Sequence, residues 1–205
     1  MNFKNVKISN YRKTIYALLT FIIISSTILL IRILIDQRSY DKAMYNQVYD
    51  EYENIIKMSE DNNGTTRNEL KRENTPEIKN VAAIISIEKI NIFYPVIENT
   101  SYANLKISPT KFYGGDANQV GNFCIVGHNN KNDEQFSKLD ELVSGDSVRL
   151  ISNNGNSLNY TVYDKYVVEA NDLSCTSQKT DGEKVVTLIT CTDNGKKRLV
   201  VKCKA

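Results

Sequence analysis

The stretch TLITC, residues 187–191, is rich in β-branched side chains and ends in Cys191. It predicts a strand, and Arg198 follows seven residues after Cys191, at the head of the next β-like run. His128 is the only histidine of the chain. If the protein uses cysteine and imidazole chemistry, His128 therefore supplies the imidazole.

Short β-like runs surround this stretch and are separated by clusters of Gly, Asn, Asp and Ser. With the quoted stretch they cover residues 81–87, 90–96, 122–126, 147–151, 158–168, 185–190 and 198–203. Such spacing is typical of a closed or nearly closed all-β structure. Helical patterns occur at 101–107 and at 134–142, and the second would place Phe136, Leu139 and Leu142 on one face.

An uncharged apolar run at residues 15–31 continues past Arg32 to Ile35, which is the roughly 20 residues that a bilayer-spanning helix needs. Basic residues precede it and acidic ones do not, which favours a cytoplasmic N-terminus. A cleaved signal peptide is the alternative, but no small-x-small cleavage site follows the run. We expect a basic cytoplasmic N-terminus at 1–14, a transmembrane signal anchor at 15–35 and an extracellular remainder.

Residues 36–80 are expected to form a helical stalk and linker ahead of a catalytic domain at 81–205. At 40–60, Met44, Val48, Tyr52 and Ile55 recur at helical spacing, which favours a helix packed on the domain or holding it away from the lipid over a partner-binding helix. The polar segment 61–80, which contains Pro76, predicts a linker.

Charge and cysteine usage exclude several classes of function. From residue 81 onward 14 basic residues balance 14 acidic ones, so no basic field attracts nucleic acid. The four cysteines can form disulfides, but none lies in a C-x-x-C pair, which argues against a thioredoxin-like pair and a zinc site. The carboxylates near His128 lack EF-hand spacing. We expect no metal and no cofactor.

Strand alternation sorts the candidate catalytic residues. In 198–203 it places Leu199 on the core face and Arg198 on the outer face. Cys191 and His128 both come at strand ends, where a side chain can enter a groove. A thiol of pKa about 8.5 needs a nearby imidazole or cation to act as a nucleophile, and Arg198 can stabilise a thiolate or an oxyanion. From chemistry alone, a structural histidine and a buried cysteine remain open alternatives.

These residues resemble a family. TLITC with Arg198, and VGHNN with its histidine 63 residues before Cys191, are similar to the signature of the sortases, the cysteine transpeptidases of Gram-positive cell surfaces. The resemblance covers residues 81–205 and includes FYGG ahead of the histidine strand and F-x-x-L-x-x-L-x-x-G-D from Phe136 to Asp146.

The resemblance implies an eight-stranded sortase-type β-barrel with short helices. It implies Cys191 as nucleophile, His128 as general acid/base, Arg198 as the group that positions substrate and stabilises the oxyanion, and Thr190 as a residue bordering the substrate groove. The implied reaction cleaves an LPXTG-like C-terminal sorting motif through a thioacyl-enzyme and transfers the protein to a cell-wall amine. Implied partners are secreted proteins with sorting signals, a peptidoglycan precursor and the membrane.

Two departures from the family pattern matter. Only six residues separate Cys191 from Arg198, so a register slip would bring Lys197 to the site instead. The segment 168–185 is too short for the helical insertion of class B enzymes, and no Asp-Pro-aromatic lid of the class C type precedes the barrel. A class D-like or class A-like anchoring enzyme fits best, with a pilin-polymerising sortase as an alternative.

Two rival functions come from outside the family. An extracytoplasmic Cys/His peptidase shares the chemistry, but papain-type enzymes place Cys before His in the chain. A non-enzymatic anchored β-domain would simply bury Cys191. Alkylation separates these, since a catalytic thiolate reacts at neutral pH and a buried thiol does not.

Overall fold

The computed structural model describes residues 3–64, 80–129 and 134–205. It contains two α-helices and eight strands in these residues. They are α1 (Phe3–Gly64), β1 (Val81–Ile87), β2 (Ile92–Ile97), α2 (Tyr102–Ile107), β3 (Thr110–Tyr113), β4 (Gly121–Val126), β5 (Ser147–Ser152), β6 (Ser157–Glu169), β7 (Lys184–Thr192) and β8 (Lys197–Lys204).

The chain divides into two compact units, one ending at Met44 and one running from Tyr45 to Ala205. In the first unit, the part of α1 from Leu18 to Asp36 has a mean hydropathy of 2.5 and exposed apolar side chains. It is long and apolar enough to cross a membrane. This span coincides, within three residues at its start, with the 15–35 segment expected from the sequence.

In the second unit, the last turns of α1 pack on the barrel. Val48 and Ile55 are fully buried, and the ring of Tyr52 meets that of Phe93 edge-on at 5.8 Å between centroids. The carboxylate of Glu51 accepts hydrogen bonds from the backbone N–H groups of Asn80 (2.9 Å) and Val81 (3.0 Å). The helix thereby holds the first strand of the barrel. The expected linker lies mostly outside the described residues.

The strands form a closed barrel in the order β1-β2-β3-β4-β7-β8-β6-β5, with β5 returning to pair with β1. Two pairs are parallel, β2 with β3 and β4 with β7, and the others are antiparallel. The parallel β4–β7 pair determines where the candidate site lies, because parallel strands end at the same edge of the sheet. The predicted all-β, eight-stranded barrel is confirmed.

The two faces of β7 and β8 pack in different hydrophobic clusters. Leu188, Val201 and Cys203 belong to the main core, which fills the barrel. Their neighbours Ile189 and Val200 lie on the opposite face and pack with Cys124 and Cys175 under the β6–β7 connection. A strand covered on both faces favours apolar residues on both, which explains Val185, Val186, Leu188 and Ile189; the hydroxyl of Thr187, which is also buried, donates to Oδ1 of Asn122 at 2.6 Å.

Two local predictions need correction, and one strand was not predicted. Residues 134–142 do not form an α-helix; only Leu139–Glu141 is helical, as a single 3-10 turn, because Gln135 adopts a left-handed φ of 48° and bridges to Asn129 as a β-residue. The apolar side chains predicted for one face are nonetheless all buried. The β2 strand starts at Ile92 rather than at residue 90, since 88–90 forms a 3-10 turn. The strand β3 was missed, because its four residues show no alternation.

Candidate active site

The β7–β8 hairpin makes Cys191 and Arg198 direct cross-strand partners. Antiparallel partners leave the same face of a sheet, so both side chains emerge on the outer face. The connection is tight because Asp193, Asn194 and Gly195 all adopt positive φ, at 51°, 51° and 86°. A short connection therefore joins the two residues and does not displace Arg198.

The guanidinium of Arg198 is fixed by the hairpin itself. Its Nη1 donates to the carbonyl oxygens of Gly195 (2.8 Å) and Lys197 (3.0 Å). Lys197 pairs with Thr192 across the hairpin, and its ammonium lies 4.0 Å from the carboxylate of Glu169. The register thus places Arg198, and not Lys197, on the face of Cys191.

His128 reaches the same edge from β4. That strand runs parallel to β7 with Val126 opposite Ile189, so two further residues bring each chain to His128 and Cys191 respectively. Gly127 lies between, and its N–H donates to the carbonyl of Ile189 at 3.1 Å. A Cβ at Gly127 would come within 2.8 Å of the ring of Phe136, so this close approach requires glycine.

Two side chains that sequence analysis did not single out, those of Gln135 and Asn129, hold the end of the histidine strand. The His128 N–H donates to Oε1 of Gln135 at 2.8 Å, and the Nε2 of Gln135 donates to the carbonyl of Leu105 at 2.8 Å. Asn129 donates from Nδ2 to the carbonyl of Cys191 at 2.9 Å, which joins the two strand ends directly. Asn129 follows His128 in VGHNN and could have been found there; no sequence signal marks Gln135.

Thr190 alternates with Cys191 and faces inward. Its side chain is fully buried, and its hydroxyl donates to the carbonyl of Gly127 at 2.8 Å. This hydrogen bond ties β7 to the residue immediately before His128. The geometry is that of a group that positions the histidine strand, and the expected contact of Thr190 with substrate stays a prediction.

A groove of 290 Å³ opens over these strand ends. Cys191, His128 and Arg198 all line it, together with apolar side chains from five segments of the chain. One wall is the β6–β7 connection, where Leu173 is 57% exposed; the other is formed by Thr100, Leu105 and Phe112. The structure therefore brings together the three residues that sequence analysis proposed as catalytic, in a site open to a ligand.

The four cysteines have different environments, and none is in a disulfide. Burial raises the pKa of the thiols of Cys124 and Cys203 to about 12 each, and it also raises the pKa of Cys175. These three side chains are buried, whereas Cys191 is partly exposed. Accessibility thus distinguishes Cys191 as the candidate nucleophile. Within the described part of the chain, no three His, Cys, Asp or Glu side chains are grouped to hold a metal ion.

The comparisons with known proteins agree on a family. Residues 85–205 match the model of the sortase domain. This match covers more than half of the chain, and with the barrel and its groove it shows that the chain belongs to the sortase family of cysteine transpeptidases. No curated protein sequence matches the chain significantly.

Solved structures of sortases of several classes are similar to the chain. A sortase D5 transpeptidase of Clostridium perfringens is 29% identical, with a TM-score of 0.60 over 76% of this chain and 98% of that one. A sortase C of the same organism, solved with a C-terminal cell wall sorting motif, is 26% identical, with a TM-score of 0.55 over 82% and 95%. Sortase A of Listeria monocytogenes, 23% identical with a TM-score of 0.55 over 60% and 86%, shares the fold.

Proposed function

We propose that the protein cleaves an LPXTG-like C-terminal sorting motif between Thr and Gly and transfers the acyl fragment to an amine. The observation that carries the proposal is that Cys191, His128 and Arg198 line one groove at the ends of adjoining strands. A nucleophile, a group that can transfer a proton and a permanent cation are the parts that acyl transfer through a thioester requires.

The chemical steps follow from these roles. The sulfur of Cys191 attacks the threonine carbonyl carbon as its proton passes to His128, and the C–N bond breaks as His128 gives that proton to the departing glycine nitrogen. An amine then attacks the thioester carbon while His128 removes a proton from it, and the C–S bond breaks as His128 returns that proton to the sulfur of Cys191. The guanidinium of Arg198 stabilises the negative oxygen in both tetrahedral intermediates, because a fixed charge costs no reorganisation in the transition state.

The acceptor is expected to be an amine of a peptidoglycan precursor, and the donors secreted proteins with C-terminal sorting signals. The similarity to a sortase C solved with such a motif supports the donor class. Four basic residues before the apolar span, Lys4, Lys7, Arg12 and Lys13, support an anchor with its N-terminus inside and the barrel outside the cell. A membrane-anchored enzyme of this topology meets both substrates at the cell surface.

Two similarities bear on the class of enzyme. The identity of 29% across nearly all of the sortase D5 chain supports a class D-like anchoring enzyme. The 26% identity to a sortase C keeps pilin polymerisation as a second candidate. The acceptor separates them, since a polymerising enzyme joins one protein substrate to another.

The acyl-enzyme gives the test. Full-length protein in detergent is mixed with a panel of LPXTG-type peptides varied at the X position, without added amine, and quenched in acid. We expect the intact mass to rise by the mass of the N-terminal peptide fragment, with the adduct on Cys191 and released by hydroxylamine. Cys191→Ala is the control and should form no adduct. Peptide cleavage without any adduct, or an adduct on another cysteine, would refute the proposal.

A further inference from the structure

A second, larger depression adjoins the groove that contains Cys191. It has a volume of 720 Å³ and is lined by the segments 98–100 and 111–115 and by Gln178. Thr100 and Phe112 line both depressions, so the two form one continuous surface. Cys191, His128 and Arg198 do not line the second one. A ligand in it therefore contacts the enzyme away from the reacting atoms.

A β-bulge shapes the floor of this second depression. The register of β3 against β4 shifts between Lys111 and Tyr113, so Phe112 is the extra residue. A bulge places two successive side chains on similar sides of a strand, where regular alternation would separate them. Phe112 and Tyr113 are 40% and 55% exposed and both line the depression. Two neighbouring aromatic rings are thus available to a ligand.

The walls of the depression are held rigidly. Thr100 donates from Oγ1 to the carbonyl of Lys111 at 2.8 Å. Gln178 and Asn122 exchange two hydrogen bonds, of 3.1 and 2.9 Å, which fix the far wall to β4. At Gly114, which has a φ of 100°, a Cβ would lie 2.1 Å from the carbonyl oxygen of Asn122, so only glycine fits. The site is preformed, which lowers the entropy cost of binding.

The charges favour a basic ligand. The ammonium of Lys111 lies 2.5 Å from Glu98 and 4.0 Å from Asp116, so two carboxylates face one cation. Asp116 does not itself line the depression but follows the lining residue Gly115, and its side chain is 86% exposed, so the two carboxylates and the one ammonium leave a net negative charge beside the depression. Phe112 and Tyr113 both line the depression, and an ammonium or guanidinium group over either ring would gain further attraction.

We propose that this depression binds the substrate polypeptide on the N-terminal side of the sorting motif and prefers a basic residue there. The inference rests on the proposed function. The acyl side is favoured because these residues stay with the enzyme through both chemical steps, so binding them stabilises each transition state. Continuity through Thr100 and Phe112 lets one extended peptide occupy both depressions.

Matched peptides test the proposal. One peptide carries the motif alone. Two others add four residues on the N-terminal side, which contain two lysines in one peptide and two glutamates in the other. A fourth peptide carries the lysine-containing segment on the C-terminal side. We expect the basic N-terminal extension to raise kcat/KM about fivefold over the motif alone, mainly through KM, as a cation–π contact is worth a few-fold. The acidic extension should give no gain.

Variants assign the gain to the depression. Tyr113→Ala should bring the ratio of kcat/KM for the basic extended peptide over the motif alone to near one, and Asp116→Lys should reverse the preference between basic and acidic extensions. Tyr163→Ala is the control, since Tyr163 is also exposed but does not line the depression, and it should keep the wild-type ratio.

The outcomes separate the two proposals. Equal kcat/KM for all extensions, a gain only from the C-terminal extension, or the same loss of ratio in Tyr163→Ala would overturn the inference while leaving the proposed function intact. If none of these peptides is processed and the acyl-enzyme also fails to form across the peptide panel, the proposed function itself is refuted.

Discussion

Cys191 and Arg198 are paired across the β7–β8 hairpin, so the thiol and the guanidinium leave one face of the sheet within a single turn of chain. Six residues separate Cys191 from Arg198, and this short connection enforces the pairing and does not cause a register slip. Three consecutive residues of positive φ reverse the chain between Thr192 and Lys197. The position of the cation is thereby set by local backbone geometry.

Arg198→Ala should lower kcat/KM by about 100- to 1000-fold, the usual effect of removing an oxyanion donor. Lys197→Ala is the matched control, because it removes a neighbouring cation that faces Glu169, and it should cost less than about threefold. Steady-state kinetics with one sorting-motif peptide gives both values. The opposite order would show that Lys197 acts at the site and that the hairpin register differs in solution.

Thr190→Val should lower kcat by about tenfold with little change in KM. The substitution leaves the carbonyl of Gly127 without its donor, which shifts the strand end that carries His128. Thr190→Ser retains the hydroxyl and should keep most of the activity. A rise in KM at constant kcat, for valine and serine alike, would instead support the direct substrate contact that the family resemblance implies.

Iodoacetamide at neutral pH should label Cys191 and leave the other three thiols unmodified in the folded protein. Cys124, Cys175 and Cys203 are buried, and burial raises the pKa of each, which keeps them protonated. Peptide mapping before and after denaturation locates the label. Labelling of a buried cysteine in the native state, with Cys191 spared, would contradict the assignment of the nucleophile.

Cys203 gives a prediction for alkaline pH. Burial raises its pKa from 9.0 to about 12, so the folded state keeps the thiol neutral while the unfolded chain ionises it above pH 9. Below pH 9 the thiol is neutral in both states and the folded state keeps its full stability. As the pH rises from 9 towards 12, only the unfolded chain loses the proton, so the free energy of unfolding falls. The wild type should therefore lose stability relative to Cys203→Ala between pH 7 and pH 10, so that the difference between their free energies of unfolding falls by on the order of 1 kcal/mol.

Urea unfolding at the two pH values measures this change. Val201→Ala is the matched control, since Val201 lies on the same strand and face and does not titrate. Its difference from wild type should be the same at both pH values. If the difference in unfolding free energy between wild type and Cys203→Ala is also the same at both pH values, the thiol does not titrate differently in the folded and unfolded states.

Much of the fold was accessible from sequence because strand periodicity is local. The strand β1 was predicted residue for residue, and β4 to β8 to within two residues at each end. The strand β3 escaped because it is only four residues long and bulged at Phe112, so its pattern does not alternate. The helix predicted at 134–142 failed for a related reason: buried residues at three-residue spacing also suit a series of turns around a left-handed Gln135.

The candidate site, like the fold, could be predicted only in part from the sequence. His128, Cys191 and Arg198 could be named because their residue types imply chemistry and their strands could be predicted. The contacts that hold them could not, since Gln135 reaches His128 across a loop and Asn129 bonds to Cys191 across 62 residues of sequence. The inward orientation of Thr190 follows from alternation with Cys191, but its partner Gly127 becomes visible only when β4 and β7 are seen to be parallel.

The most direct test of a transpeptidase is the fate of its acyl group. An LPXTG-type peptide is turned over at rising concentrations of a glycine peptide, and the products are quantified by mass spectrometry, with Cys191→Ala as the blank. We expect the amide product to rise with amine concentration until it displaces the free acid, and total turnover to accelerate, because the thioester reacts with the amine faster than with water. If only the free acid forms at every amine concentration, the protein is a peptidase and the account of its reaction is wrong.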